Sequence, residues 1–136
     1  MAGEKVSDMW LVTEHMTTEE WVRVAAALGG RTGARARRGS STRRFVNAVL
    51  WVAQTRACWS DLPPLFGPWH SVYVRFLRWM RGDQWHAVVE ALQEGGPKEE
   101  LRRMIQLYVD KGIARDMRRK VLAAHASGAQ LGMREA

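Results

Sequence analysis

The chain has 136 residues, 46% of them hydrophobic, with a single cysteine and a net charge of +7. That length suits one domain, or one domain with an appendage, and a core that needs neither disulfide nor metal; the lone Cys58 excludes an internal disulfide and a cysteine-based metal site. No stretch reaches the roughly 18 consecutive apolar residues of a membrane span, and Met1 to Asp8 lacks the basic start and apolar run of a secretory signal, so the expected location is the cytoplasm, on the nucleoid and away from any membrane.

Residues 1–16 are weakly patterned, and a variable end is expected there. Thr17-Thr18-Glu19-Glu20 reads as a capping box, in which Thr17 caps a helix and Glu20 reaches back to it. Trp21, Val24, Ala25 and Leu28 follow at helical spacing, and Gly29-Gly30 ends the helix. Arg31 to Arg44 carries six arginines and no acid. It reads as a flexible basic arm leading into a second helix capped near Ser40 to Thr42. Phe45, Val46, Val49, Leu50, Val52 and Ala53 make that helix apolar over much of its circumference, the mark of a buried helix. Asn47 within it is expected to satisfy a local backbone group, and Cys58 to be a small buried residue.

Ser60 or Asp61 is expected to cap a one-turn helix with Pro63 near its start. Gly67 supplies a turn, and Pro68 opens a helix that should run to about Arg81, with Gly82 as its stop. The inner stripe of that helix is Trp69, Val72, Phe76 and Trp79 or Met80. Asp83 can cap a further helix with Trp85, Val88, Val89 and Leu92 inside. Gly95-Gly96 breaks the chain. Two short amphipathic helices hinged at Gly112 are expected after it, with stripes Leu101, Met104, Ile105 and Tyr108, then Ile113, Met117 and Val121. Nothing alternates as a strand does. The fold class is all-α: a small helical bundle containing a helix-turn-helix, with a C-terminal helical appendage. The expected division is 1–16, 17–94 and 97–136, and Trp21, Trp51, Trp69, Trp79 and Trp85 are expected to be largely buried.

The charge is unevenly placed. Between Trp21 and Gly82 eleven arginines face one acid, Asp61, so this window carries +10 and the remainder −3. A field of one sign attracts a polyanion, and arginine suits bidentate contact with phosphate or guanine. His70, Ser71, Val74, Arg75 and Arg78 fall opposite the inner stripe or near the helix start, where a recognition helix meets base edges. Arg35, Arg37 and Arg38 suit an arm on the backbone or in an adjacent minor groove, and Arg43 and Arg44 are expected to contact DNA as well. His15, His70, His86 and His125 are scattered, so neither metal nor cofactor is expected.

Several segments in order resemble one family. Met16-Thr17-Thr18-Glu19-Glu20-Trp21 resembles its opening, Arg35 to Arg38 its basic arm, and Asn47-Ala48-Val49-Leu50-Trp51-Val52 with Thr55-Arg56-Ala57-Cys58-Trp59 its central helix and exit. Asp61-Leu62-Pro63, Phe66-Gly67-Pro68-Trp69 and Val72-Tyr73 with Phe76, Arg78 and Trp79 resemble its helix-turn-helix signature. The family is the N-terminal domain of insertion-sequence transposases of the four/five superfamily. The resemblance implies a helix-turn-helix that binds double-stranded DNA at element ends. In relatives a catalytic domain with three metal-binding carboxylates follows. Here Glu99, Glu100, Asp110, Asp116 and Glu135 lie on charge-mixed helical segments, so no catalysis is expected of this chain. The expected role is sequence-directed DNA binding, as an insertion-element first frame or a domesticated regulator. A homodimer through residues 97–136 is also expected. The competing expectation is a protein–protein interaction module, a phage or host factor gripping its partner with the basic helical face.

Overall fold

A computed structural model describes residues 12–29 and 36–135, excluding the side chains of 36–40, 113, 114 and 127–135. Five α-helices run through the described residues: α1 (Thr18–Leu28), α2 (Ala36–Thr55), α3 (Trp69–Met80), α4 (Gln84–Ala91) and α5 (Gly96–Glu135). Two single 3₁₀ turns, Trp59–Asp61 and Pro64–Phe66, stand between α2 and α3. No strand occurs among the described residues, so the fold is all-α. The chain divides into two compact units, Met1–Met104 and Ile105–Ala136, with the boundary inside α5.

The capping box at the start of α1 forms as its sequence requires. The Glu20 backbone N–H donates to Thr17 Oγ1 at 3.1 Å, and the Thr17 N–H donates to Glu20 Oε1 at 3.0 Å. The second carboxylate oxygen of Glu20 accepts from the Gln93 N–H at 3.1 Å. A buried acid thus caps its own helix and ties it to the end of α4, against which α1 packs. Arg23 Nε adds a bond to the Ala91 carbonyl at 3.1 Å.

α2 is the central helix. Phe45 to Ala53 are buried without interruption, as an apolar circumference demands. It begins at Ala36, not near Ser40 to Thr42. Alanine and arginine favour helix enough to carry Gly39, which costs only about 1 kcal/mol against alanine. Arg56 closes the helix in the left-handed region at φ 56°. Its guanidinium grips Glu100 of α5 with two bonds, 3.1 and 3.2 Å. Arg103 joins the same carboxylate at 3.1 Å and reaches the Ala53 carbonyl at 3.3 Å. The end of α2 and the start of α5 are therefore fastened together.

An aromatic cluster joins α2, α3 and α4. Phe45 meets Trp79 edge-on at 4.8 Å, Trp79 meets Trp85 at 5.0 Å, and Trp85 meets Phe76 at 5.4 Å between ring centres. Trp85 Nε1 donates to the Phe76 carbonyl at 3.1 Å, so the indole's polar atom is satisfied inside the core.

Several expectations are corrected. Trp51, Trp79 and Trp85 are buried, but Trp21 is half-buried and Trp69 is 40% exposed. Spacing puts Trp69 on the inner stripe of α3, yet burial of that stripe starts one turn later, at Val72. Cys58 is exposed, because it precedes the first 3₁₀ turn instead of entering a helix. The expected one-turn helix is two 3₁₀ turns divided at Leu62 and Pro63, with Asp61 closing the first. No hinge occurs at Gly112, since α5 runs on as one helix. An internal glycine weakens a helix without ending it unless the chain takes a left-handed turn there. Of the expected variable end, residues 1–11 lie outside the described ones. The described part is held, since Met16 is buried and the His15 N–H donates to Asn47 Oδ1 at 2.7 Å.

Candidate nucleic-acid interface

α3 has two faces. Val72, Phe76 and Trp79 are buried beneath it. His70, Ser71, Val74, Arg78 and Arg81 stand exposed on the other side. Gly67, at φ 97°, makes the turn into the helix; a residue with Cβ would be strained there. Pro68 follows as the N-cap and offers no side-chain bond to the first turn. Pro68 therefore caps none of the first N–H groups of α3, which lie beside a segment, residues 62–82, that contains no acid.

Arg75 belongs to neither face. Its guanidinium lies 4.4 Å from the centre of the Phe45 ring and 5.4 Å from that of Trp79, and it donates to Thr42 Oγ1 at 3.2 Å. Burial lowers its pKa from the ordinary arginine value, and the positive charge of Arg78 pushes it the same way. It remains cationic at neutral pH. It is a half-buried strut between α2 and α3, with one edge toward a cleft of about 150 Å³ that also involves Ser41, Arg44, Phe45, Phe66, Gly67, Pro68, Ser71 and Val72.

The other arginines separate in the same way. Arg44 is exposed and borders that cleft and a second one of about 320 Å³. Arg43 is half-buried, with Nε donating to Glu14 Oε1 at 3.3 Å. Asn47 Nδ2 donates to the same oxygen at 2.9 Å, so Asn47 bridges Glu14 and the His15 backbone. It does satisfy a backbone group, but one 32 residues away instead of a local one. Arg37 and Arg38 are in the first turns of α2, so that part of the basic segment is helical backbone and not an arm; their side chains, and all of Arg35, lie outside the described residues. The structure therefore brings together Arg44, His70, Ser71, Val74, Arg75 and Arg78 around α3, and it diverts Arg43 to an acid.

Two contributors were missed from the pattern. Arg81 follows Arg78 by one turn and is exposed on the same side; the spacing alone could have found it. Leu65, 73% exposed on the second 3₁₀ turn, borders the larger cleft with Arg44. No sequence period marks a residue on a turn of that kind. Among the described residues no three His, Cys, Asp or Glu side chains converge to hold a metal ion.

Comparison with known proteins decides the family. The model described as "Putative transposase of IS4/5 family (DUF4096)" matches residues 16–89, more than half of the chain. The chain belongs to this IS4/5 transposase family. The match takes in α1, α2, both 3₁₀ turns and α3, and nearly all of α4. The IS4/5 chain is also 34% identical over 64 residues to "Uncharacterized protein y4sN" of Sinorhizobium fredii (strain NBRC 101917 / NGR234). That alignment covers 46% of this chain and 50% of the relative, so the chain spans about half the length of the curated relative it matches. No solved structure matches. No described helix of this IS4/5 family member is long and apolar enough to cross a membrane.

Proposed function

We propose that residues 17–94 act as a helix-turn-helix domain that binds double-stranded DNA in a sequence-directed way, with α3 as the helix that enters the major groove. The observation that carries this is the outer face of α3. It gathers His70, Ser71, Val74, Arg78 and Arg81 on a helix whose opposite side is locked into an aromatic core. A recognition helix needs that combination: polar and basic groups that reach base edges, and a rigid back that fixes their aim. Arg44 and the opening turn of α3 supply backbone contact, where most protein–DNA hydrogen bonds go. Membership of a transposase family agrees with this role.

In this reading the chain binds DNA and performs no strand chemistry of its own. It works beside a separate catalytic polypeptide or as a regulator. The direct test is fluorescence anisotropy with a random-pool duplex and with sequences selected from that pool, at two salt concentrations. Affinity should fall steeply with salt, with a log–log slope of roughly −0.9 for each phosphate neutralised. Arg78→Glu should weaken binding at least about tenfold and flatten the slope, since it removes one cation and adds an anion to the face. Equal affinity for every duplex removes sequence direction. No affinity for any duplex, with a protein still captured through Arg78 and Arg81, makes the basic face a protein-binding surface instead.

A further inference from the structure

The last helix changes character beyond Met104. Leu101 and Met104 are buried, whereas Leu107, Met117 and Val121 are 45%, 62% and 61% exposed. Leu107, Asp110, Met117, Val121 and Ala124 are separated by three, seven, four and three residues, so they lie along one seam of a coiled-coil repeat. Lys111 and Arg118 each follow a seam residue directly, and Lys120 directly precedes one. Three of the flanking positions that choose a coiled-coil partner are thus positive, and Gln106 and His125 hold the others among the described side chains. From Ile105 to Ala126, five basic residues stand against Asp110 and Asp116, a net +3.

The flanks discriminate between occupants. In an antiparallel pair of two copies, each positive flank would face its own kind. In a parallel pair, Asp110 would meet Asp110 in the seam. A helix that sets a polar amide opposite Asp110, apolar residues along the rest of its seam and Glu or Asp on its flanks meets neither conflict. Duplex DNA answers the charge but offers nothing to Leu107, Met117 and Val121.

We propose that residues 105–126 dock an acidic-flanked amphipathic helix of a different polypeptide, forming a two-stranded coiled coil. The Met117–Val121 seam would provide the apolar contact, and Lys111, Arg118 and Lys120 the selectivity. This does not depend on how α3 is used. It also replaces the homodimer expected from the sequence, which considered the apolar stripes without their flanks.

The test uses the full chain and three labelled synthetic helices of about four heptads each, long enough to form a stable coiled coil. The first has Leu seams and Glu flanks, the second Leu seams and Lys flanks, each with one seam Asn placed to meet Asp110, and the third Ser seams and Glu flanks. The Leu/Glu helix should bind, and the other two should bind at least about tenfold more weakly. Met117→Ser with Val121→Ser should cost at least about tenfold with the first helix. These side chains are exposed, so the thermal midpoint should stay within a degree or two. Equal binding of the Leu/Lys helix, indifference to the double substitution, or no binding of the Leu/Glu helix would each overturn the proposal. So would a dimer in sedimentation that the double substitution splits, because the occupant would then be a second copy.

Discussion

The guanidinium of Arg75 lies 4.4 Å from the centre of the Phe45 ring and makes an arginine part of the packing between α2 and α3. A cation over an aromatic face contributes about 0.5–1 kcal/mol at an exposed site and more when desolvated. The bond to Thr42, itself buried, adds roughly 1 kcal/mol. Arg75→Ala should therefore lower unfolding free energy by about 1–2 kcal/mol, although spacing places Arg75 away from the inner stripe. Arg78→Ala should leave it within about 0.5 kcal/mol. Urea titrations of the two variants measure the difference directly; equal stabilities would mean the ring contact contributes nothing.

The reasons for that misreading are physical. Helical spacing tells which side of α3 a residue occupies, and it placed Val72, Phe76, Trp79, His70, Val74 and Arg78 correctly. It does not tell how far along the axis the neighbours reach, which is why Trp69 is exposed. Nor does it tell whether a long side chain at the border turns outward or folds back, which is why Arg75 packs on Phe45. The capping box and the buried central helix were legible because they depend on local bonds and composition. The pairing of Arg43 with Glu14, 29 residues earlier, depends on tertiary approach and leaves no local pattern.

Phe76 is fully buried and touches Trp59 at 5.1 Å and Trp85 at 5.4 Å between ring centres. Phe76→Ala leaves a cavity at the meeting point of three elements. It should cost about 3–5 kcal/mol, a large part of the 5–15 kcal/mol typical of a small domain. Loss of near-ultraviolet circular dichroism at lower urea, with the slope retained, is the expected result. A cost below about 1 kcal/mol would show that the cluster is loosely packed.

Acid should weaken the fold in two steps. Burial lowers the pKa of His15 from its ordinary 6.5, against the hydrogen bond its ring donates to the Val12 carbonyl and the negative charge of Glu14, which raise it. The bonds from Arg56, then Arg103, lower the pKa of Glu100 from 4.5, against burial. A depressed folded pKa gives stability that is present above the unfolded value and lost as pH falls toward the folded one. The first loss should begin below pH 6.5 and the second below pH 4.5. His15→Asn should remove the first step and Glu100→Gln the second in melting-midpoint profiles. An unchanged profile in either variant assigns that step to another group.

Val74 occupies the middle of the outer face of α3, between Ser71 and Arg78, and is 39% exposed. If that face lies in a major groove, the group a valine can recognise there is the 5-methyl of thymine, the apolar mark on an A·T pair. The methyl is removed without altering any hydrogen bond by replacing thymine with deoxyuridine. One buried methyl contributes about 0.8 kcal/mol, which is roughly fourfold in affinity. Duplexes selected for binding should therefore lose about fourfold for each thymine methyl in contact with Val74 when it is replaced. Val74→Ala should bind the thymine duplex about as weakly as the intact chain binds the uracil duplex, and should show little further loss on replacement. That coupling separates direct contact from a general loosening of the helix. If Val74→Ala keeps the full response to thymine, another side chain reads the methyl; if the intact chain ignores the replacement, Val74 is only an exposed valine on a helix that binds through its charges.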